Sequence, residues 1–288
     1  MKILSFGEIL FDVFGDSAKL GGAPLNFCAH AVRAGATGAV LSAVGDDELG
    51  KIALQQVASY GIETGHIAVL GNKPTGRSLV TLNDAGVPRY DLLEDVAYDH
   101  IPVPKLEGKG YDVLYFGTLA LRSPDNRKTL GQLLQKKIAG DVFVDVNIRP
   151  PFYSEESILF ALGHATMLKI SDEELPVVSA VVLGAGAHTV DSVVSVIRER
   201  FANIKLLILT CGENGSAAYD LQTGDICRCD AVKTKVVSTV GAGDSFCAAF
   251  LVNYLRGDGV ADALQKASRV SAWVVSQEGA IPEGVPQL

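Results

Sequence analysis

Short apolar runs alternate with helical stretches almost from end to end of the chain. Lys2 to Phe6 reads as a strand, Leu25 to Ala34 as a helix, Ala39 to Val44 as a strand and Asp47 to Tyr60 as a second helix. Gly35 and Gly61 follow the two helices, where a glycine supplies the left-handed C-terminal cap. The rhythm resumes with strands at Val113 to Phe116, Val142 to Val146, Met167 to Ile170 and Leu206 to Thr210. Ser123-Pro124 opens a helix between the first two of these, since proline lacks the N–H that has no partner in a first turn. Strands that alternate with helices require crossover connections, so the pattern predicts a mostly parallel sheet covered on both faces.

One segment breaks the rhythm. From Thr75 to Ile101 the pattern is a strand, a turn at Asn83-Asp84-Ala85-Gly86 and a second strand at Arg89 to Leu93. The residues alone fit an edge hairpin of the main sheet and a separate lid equally well. A further hairpin is expected from Ser216 to Tyr219 and Ile226 to Asp230. No heptad, internal repeat or linker rich in Pro, Gly or Ser divides the chain into two folding units.

The 288 residues are enough for one large α/β unit or two smaller ones, and enough to bury a core without disulfide or metal staples. Against 33 Asp and Glu there are 25 Lys and Arg, a net charge of −8, which argues against a basic face for nucleic acid but leaves room for a small anion bound locally. The apolar run Val177 to Ala187 is too short to span a bilayer, which takes roughly 20 residues. The region after Lys2 is broken by Glu8 and Asp12, so the chain reads as starting at Met1, with no membrane partner, in the cytoplasm. Cys28, Cys211, Cys227, Cys229 and Cys247 are odd in number and scattered, as expected of reduced thiols. Cys227-Arg228-Cys229 reads as alternation along an edge strand.

The sharpest local feature is Val240-Gly241-Ala242-Gly243-Asp244-Ser245-Phe246, between a β-like Lys235 to Val237 and a helix-like Phe246 to Leu255. Glycines there let the backbone turn tightly and aim several N–H groups at one point, and a helix starting at the turn adds its positive end, which suits a phosphate. Asp244 falls in the first helical turn, either beside that anion or simply as a partner for the helix dipole. Other phosphate motifs fail on spacing. Neither Gly71-Asn72-Lys73 nor Gly108-Lys109-Gly110 fits a P-loop, and Gly7 is followed by Glu8-Ile9-Leu10-Phe11-Asp12 rather than a dinucleotide fingerprint, which weakens an oxidoreductase reading. Neither His-Glu-x-x-His nor paired Cys-x-x-Cys occurs, so a dedicated zinc site is not expected.

A second glycine cluster, Gly21-Gly22-Ala23-Pro24-Leu25-Asn26, opens the first helix with Asn26 on its first turn. Asn26 either offers its amide to a polyol or caps the helix. Asp12, just beyond the first strand, lies where open α/β sheets bind ligands, and is either a contact to vicinal hydroxyls or a turn residue.

Together these pieces resemble the ribokinase-like (PfkB) carbohydrate kinases, in particular their bacterial fructokinase branch. The resemblance spans the chain and includes Glu94 to Ile101, Asp145-x-Asn147-x-Arg149-Pro150, Lys169-x-Ser171-x-x-Glu174, Thr210-x-Gly212-x-x-Gly215 and Gly279-Ala280. It implies a three-layer α/β/α fold over residues 1–288, with a small β-rich lid from segments of about 11–23 and 73–101. It also implies ATP-dependent phosphorylation of a sugar primary hydroxyl, most simply D-fructose at O6. In that scheme Asp244 is the general base, and the N–H groups of Gly241, Ala242 and Gly243 form the anion hole. Asp12, Gly21, Gly22 and Asn26, with Asn147 and Arg149, bind the sugar. Lys169, Ser171, Thr210, Gly212 and Gly215 line the ATP site, and Glu174 organises Mg²⁺.

Two departures limit the transfer. Ser238-Thr239 stands where the family motif commonly opens with Asp-Thr, and that first Asp contributes to a monovalent-cation site in many relatives, so a potassium requirement is left open. Ser171-x-x-Glu174 replaces the family's Asn-x-x-Glu, a form that the fructokinase branch often shows. Ribose, a 2-keto-3-deoxy sugar acid or a nucleoside are alternative acceptors within the same fold, and a catalytically silent sugar or nucleotide sensor is the alternative outside enzymology. Lid hairpins of this family often pair across a homodimer.

Overall fold

The computed structural model describes residues 1–15, 17–82, 88–106 and 110–284. Its strands are β1 (Lys2–Phe6), β2 (Leu10–Phe14), β3 (Ser17–Gly21), β4 (Thr37–Gly45), β5 (Ile67–Leu70), β6 (Gly76–Leu82), β7 (Pro88–Leu92), β8 (Tyr111–Phe116), β9 (Ala139–Asp145), β10 (Met167–Ser171), β11 (Leu206–Thr210), β12 (Ser216–Asp220) and β13 (Ile226–Cys229). The helices are α1 (Ala23–Arg33), α2 (Glu48–Ser59), α3 (Pro124–Gln135), α4 (Glu155–His164), α5 (Leu175–Leu183), α6 (Val190–Arg200), α7 (Ala242–Leu255) and α8 (Val260–Val275).

Among the described residues, nine strands form the main sheet in the order β13-β12-β11-β10-β9-β8-β1-β4-β5. Pairing is parallel from β5 to β11 and antiparallel at β12 and β13. Alternation within each strand builds the layers. Leu4 and Phe6, Leu114 and Phe116, and Leu207 and Leu209 join one core with residues of α3 to α6. Their neighbours Ile3, Val113, Tyr115, Leu206 and Ile208 join the opposite core with α1, α7 and α8. Both faces are therefore apolar, as a helix-covered parallel sheet requires.

A second sheet, β3-β2-β6-β7, stands apart from the main one. It settles the choice between edge hairpin and lid: among the described residues β6 pairs with β2 and β7, and with no strand of the main sheet. The turn expected at Asn83 to Gly86 lies outside the described residues. Its stalks are fastened to the body by polar nodes. The Asp47 carboxylate caps α2 at Gly50 N (2.8 Å) and accepts from Thr75 N (2.8 Å) and Thr75 Oγ1 (2.6 Å). Arg122 grips both oxygens of Asp99 at 2.8 Å and the Leu93 carbonyl at 2.6 Å, and lies over the rings of Tyr98 and Phe152.

Two local expectations are corrected. Lys235 to Val237 is not a strand; no strand pairs with it, and Val236 and Val237 are exposed despite their β-branched shape. Val237 N and Ser238 N donate instead to the Val275 carbonyl at the end of α8. Asp12 is not in a turn after β1 but in the middle of β2, within the lid sheet.

Candidate active site

The order of the main sheet reverses beside β1, where β4 and β8 flank it from opposite sides, and the loops at the carboxyl ends of β1 and β8 to β11 open into one cleft of about 1450 Å³. Such a switch point is where open α/β sheets leave room for a ligand.

α7 starts at one wall of that cleft. Gly241 is its N-cap, at φ 79° and ψ 0°. Those angles are the third position of a type II turn, which needs glycine. A Cβ there would also lie 2.7 Å from Ala280 Cα. The turn closes through Ala242 N to the Thr239 carbonyl at 3.2 Å, so this amide points back along the chain rather than into the cleft. The amides of Gly241, Gly243 and Asp244 have no protein partner among the described residues. Of the expected donors Gly241, Ala242 and Gly243, the amide of Ala242 is therefore already engaged, and that of Asp244 is open. Behind the turn, the Ala280 carbonyl lies 2.8 Å from His30 Nε2, so the ring donates from that nitrogen. Burial lowers the His30 pKa to about 4 and keeps the ring neutral.

Asp244 is the third residue of α7 and only 8% exposed. Asn26 of α1 donates from Nδ2 to its Oδ2 at 2.8 Å. Burial raises the Asp244 pKa to about 6, helped by the charge of Asp145 and opposed by Asn26, Arg149 and Lys169. Asn26 can reach across because α1 begins close to the cleft. Its N-cap Gly22 has φ 119°, and a Cβ there would lie 2.3 Å from the Glu8 carbonyl.

Glu8 is buried beside this contact, with Oε1 accepting from Ala23 N at 3.1 Å, and burial raises its pKa to about 7. Asp12 faces the same space from the lid and is raised by burial, with Ser78 and Arg149 opposing. Arg149 lines the cleft from the loop after β9 and forms no ion pair among the described residues. Asn147 lies in that loop at φ 44°.

Deeper in the floor, Lys169 Nζ is 3.0 Å from Asp145 Oδ1 and 3.8 Å from Glu174 Oε2. Burial favours its neutral form, but the two carboxylates outweigh burial and the pKa is raised, so the ammonium stays charged. A Cβ on Gly243 would lie 3.8 Å from that ammonium, so Lys169 sits against the glycine turn. Glu174 ties two loops together, accepting from Ile148 N at 2.8 Å and Ser171 N at 2.7 Å. The far end of the cleft is lined by Ser171, Thr210, Gly212 and Gly215. Gly215 has φ 90°, and a Cβ there would meet the Cys229 carbonyl at 2.2 Å. Among the described residues no group of three or more His, Cys, Asp or Glu side chains is placed to hold a metal ion.

All the residues singled out in the sequence line this cleft except Gly21, which lines an adjoining cavity of about 400 Å³ that shares Asp12 and Asn26. Sequence reasoning missed Glu8, Asp145 and Ser78 as members of the site. Glu8 and Asp145 carried a signal, an acid at or just past the carboxyl end of a main-sheet strand. Ser78 carried none.

The description "pfkB family carbohydrate kinase" matches residues 2–288. The protein named "Probable fructokinase-5" of Arabidopsis thaliana is 27% identical over 97% of this chain and 93% of its own length. The 5-dehydro-2-deoxygluconokinase of Bacillus licheniformis is 26% identical over 94% of this chain and 85% of its own. The crystal structure of fructokinase with bound ATP from Xylella fastidiosa superposes with a TM-score of 0.85 at 20% identity, covering 97% of this chain and 94% of that one, and so shares the fold.

Proposed function

The chain belongs to the pfkB family of carbohydrate kinases, and on that premise we propose that it transfers the γ-phosphoryl group of ATP to the primary hydroxyl of a sugar, D-fructose at O6. The observation that carries this reading is the buried Asp244 carboxylate, oriented by Asn26, at the helix end where unpartnered amides converge. Asp244 takes the hydroxyl proton as the oxygen attacks. The amides of Gly241, Gly243 and Asp244 stabilise charge on the transferring phosphoryl group, where positioning and electrostatics supply most of the rate. Asp12, Gly22 and Asn26 hold the sugar, and the Ser171, Thr210, Gly212 and Gly215 end takes the nucleotide.

Lys169 stays charged against the glycine turn and offsets the negative charge that the phosphates bring. The residues fit a Mg²⁺ carried in on the nucleotide's phosphates and waters rather than caged by protein, since both Glu174 oxygens already accept from backbone amides. Bound in that way, Mg²⁺ neutralises phosphate charge. The lid sheet excludes water and so suppresses ATP hydrolysis. Its open edges at β3 and β7 and the 52% exposed Phe14 support a homodimer joined through the lid, which a monomeric mass by light scattering would overturn.

A panel of ketoses, pentoses, nucleosides and keto-deoxy sugar acids with coupled ADP detection tests the acceptor. Highest kcat/KM with fructose is expected. One observation favours a second reading: the Arg149 guanidinium at the acceptor end, which has no ion pair among the described residues, is suited to a carboxylate. A sugar acid that outperforms fructose, and loses that advantage in Arg149→Ala, would establish it instead.

A further inference from the structure

The lid sheet carries a row of side chains across its four strands. Backbone register places Lys19 beside Asp12, Asp12 beside Ser78, and Ser78 beside Leu92. Residues in register share a face, so the row runs from a cation through a carboxylate and a hydroxyl to an apolar group. Asp12, Ser78 and Leu92 all line the main cleft.

Ser78 is the unusual member. It is 1% exposed, yet its Oγ makes no hydrogen bond of ordinary geometry. Its polar neighbour in the row is the Asp12 carboxylate, to which it makes a weak hydrogen-bonding contact that opposes the rise of that carboxyl's pKa. The neighbouring position on the same face, Gly76, is filled by the Tyr98 ring, 2.5 Å from where a Cβ would sit, which closes the row on that side. A second buried polar atom at this end, Asn26 Oδ1, is likewise without a partner. Buried polar groups without partners are rare in folded proteins and call for a specific account. Two that line the same cleft as a buried carboxylate are accounted for by a polyhydroxyl ligand.

We propose that Ser78 is a specificity-determining residue, which reads the acceptor hydroxyl next to the one held by Asp12, with Leu92 against the carbon skeleton beyond. This rests on the reading of the cleft as a sugar site, and not on which sugar is the best acceptor. A site built to hydrogen-bond a hydroxyl rejects the analogue that lacks it, because its own polar group is then left unpaired.

The test measures kcat/KM for the best acceptor of the panel and for each of its singly deoxygenated analogues, in the wild-type protein and in Ser78→Ala. Removal of the hydroxyl that Ser78 reads should cost the wild type about 3–10-fold, the range of one neutral hydrogen bond. Ser78→Ala should lose a similar factor on the parent sugar and nothing further on that one analogue, while it keeps the wild-type losses on the others. Its Tm should stay close to the wild-type value, because the hydroxyl that leaves the fold makes no hydrogen bond of ordinary geometry. The same pattern of losses in both proteins would overturn the proposal, as would a Tm lower by several degrees with discrimination unchanged, which marks a structural hydroxyl. A wild-type protein that phosphorylates no sugar would sink the kinase reading itself and this inference with it.

Discussion

Asn26 Nδ2 and Asp244 Oδ2 meet at 2.8 Å across 218 residues of chain, and this contact joins the start of α1 to the start of α7. The amide donates to one carboxylate oxygen and leaves the other for the role proposed for it, acceptance of the acceptor's proton. Asp244→Asn is therefore expected to lower kcat by at least ~10²-fold while leaving sugar affinity nearly intact, the signature of a lost general base. Because burial raises the Asp244 pKa to about 6, kcat/KM of the free enzyme should fall as pH drops through that value. Asn26 opposes the rise, so Asn26→Ala should move the acid limb to higher pH. A steady-state pH profile of the three proteins reads both effects, and an unmoved limb in Asn26→Ala would separate the contact from the chemistry.

How far this site was legible in the chain depends on the range of each signal. The caps at Gly35, Gly61 and Ser123-Pro124 are local, and they end or start helices as the residues predict. The glycine turn before Asp244 is equally local. β2 was hidden because Asp12 interrupts it and because its partner β3, Ser-Ala-Lys-Leu-Gly, has little apolar content; only β3 and β6 on either side make it a strand. Lys169 could be placed near phosphate from its motif, but not against Asp145 and Glu174, because that trio depends on the parallel pairing of β9 with β10. The return of the Ala242 amide to Thr239 follows from the φ of Gly241; a glycine at this position permits that φ, but among the several turns it permits the support of Ala280 behind it selects this one.

Gly241 supports the sharpest steric prediction. At φ 79° an L-residue is strained, and a Cβ would lie 2.7 Å from the Ala280 backbone. Gly241→Ala should therefore cost about 1–2 kcal/mol in backbone strain before the clash is relieved. A shift that relieves it should re-aim the amides proposed to face the phosphoryl group. Loss of one such donor lowers kcat by ~10²–10³-fold, and that fall should appear with little change in the KM for sugar. Wild-type turnover in a folded Gly241→Ala protein would remove the turn from the catalytic account.

His30 holds Ala280, and with it the support of that turn, through a neutral ring. The sign follows from linkage. The folded-state pKa of about 4 lies below the ordinary 6.5, so between those values the folded protein binds fewer protons than the unfolded chain. Stability contributed here is fully present above 6.5 and is lost as pH falls toward 4, by on the order of 3 kcal/mol in all. His30→Gln can keep a donor to Ala280 without titrating. Relative to wild type it should unfold less readily at pH 4.5 than at pH 7.5, and denaturant melts at the two pH values measure the difference. His30→Ala lacks the donor and should lower kcat as well.

Glu8 tilts stability the opposite way. Its pKa is about 7 in the folded protein against an ordinary 4.5, mainly because burial penalises the charged form. Between those values the folded state holds a proton that the unfolded chain has released, so stability falls as pH rises through the window, again by on the order of 3 kcal/mol. The two slopes overlap between about pH 4.5 and 6.5 and oppose each other, while Asp244, raised to about 6, adds a slope of the Glu8 sign up to that value. Single variants expose what the pair conceals. Glu8→Gln keeps an oxygen for the Ala23 amide, removes the buried charge and should raise Tm at pH 8 while changing it little at pH 4.5. In the Glu8→Gln background the His30 slope is opposed by Asp244 without Glu8, so relative to wild type this variant should lose stability as pH falls through the window. The double variant Glu8→Gln with His30→Gln keeps the Asp244 slope and should lose stability as pH rises toward 6. A Glu8→Gln protein whose Tm at pH 8 is unchanged or lower would mean that the carboxylate is charged and compensated, and that the cleft is more strongly positive than Arg149 and Lys169 make it.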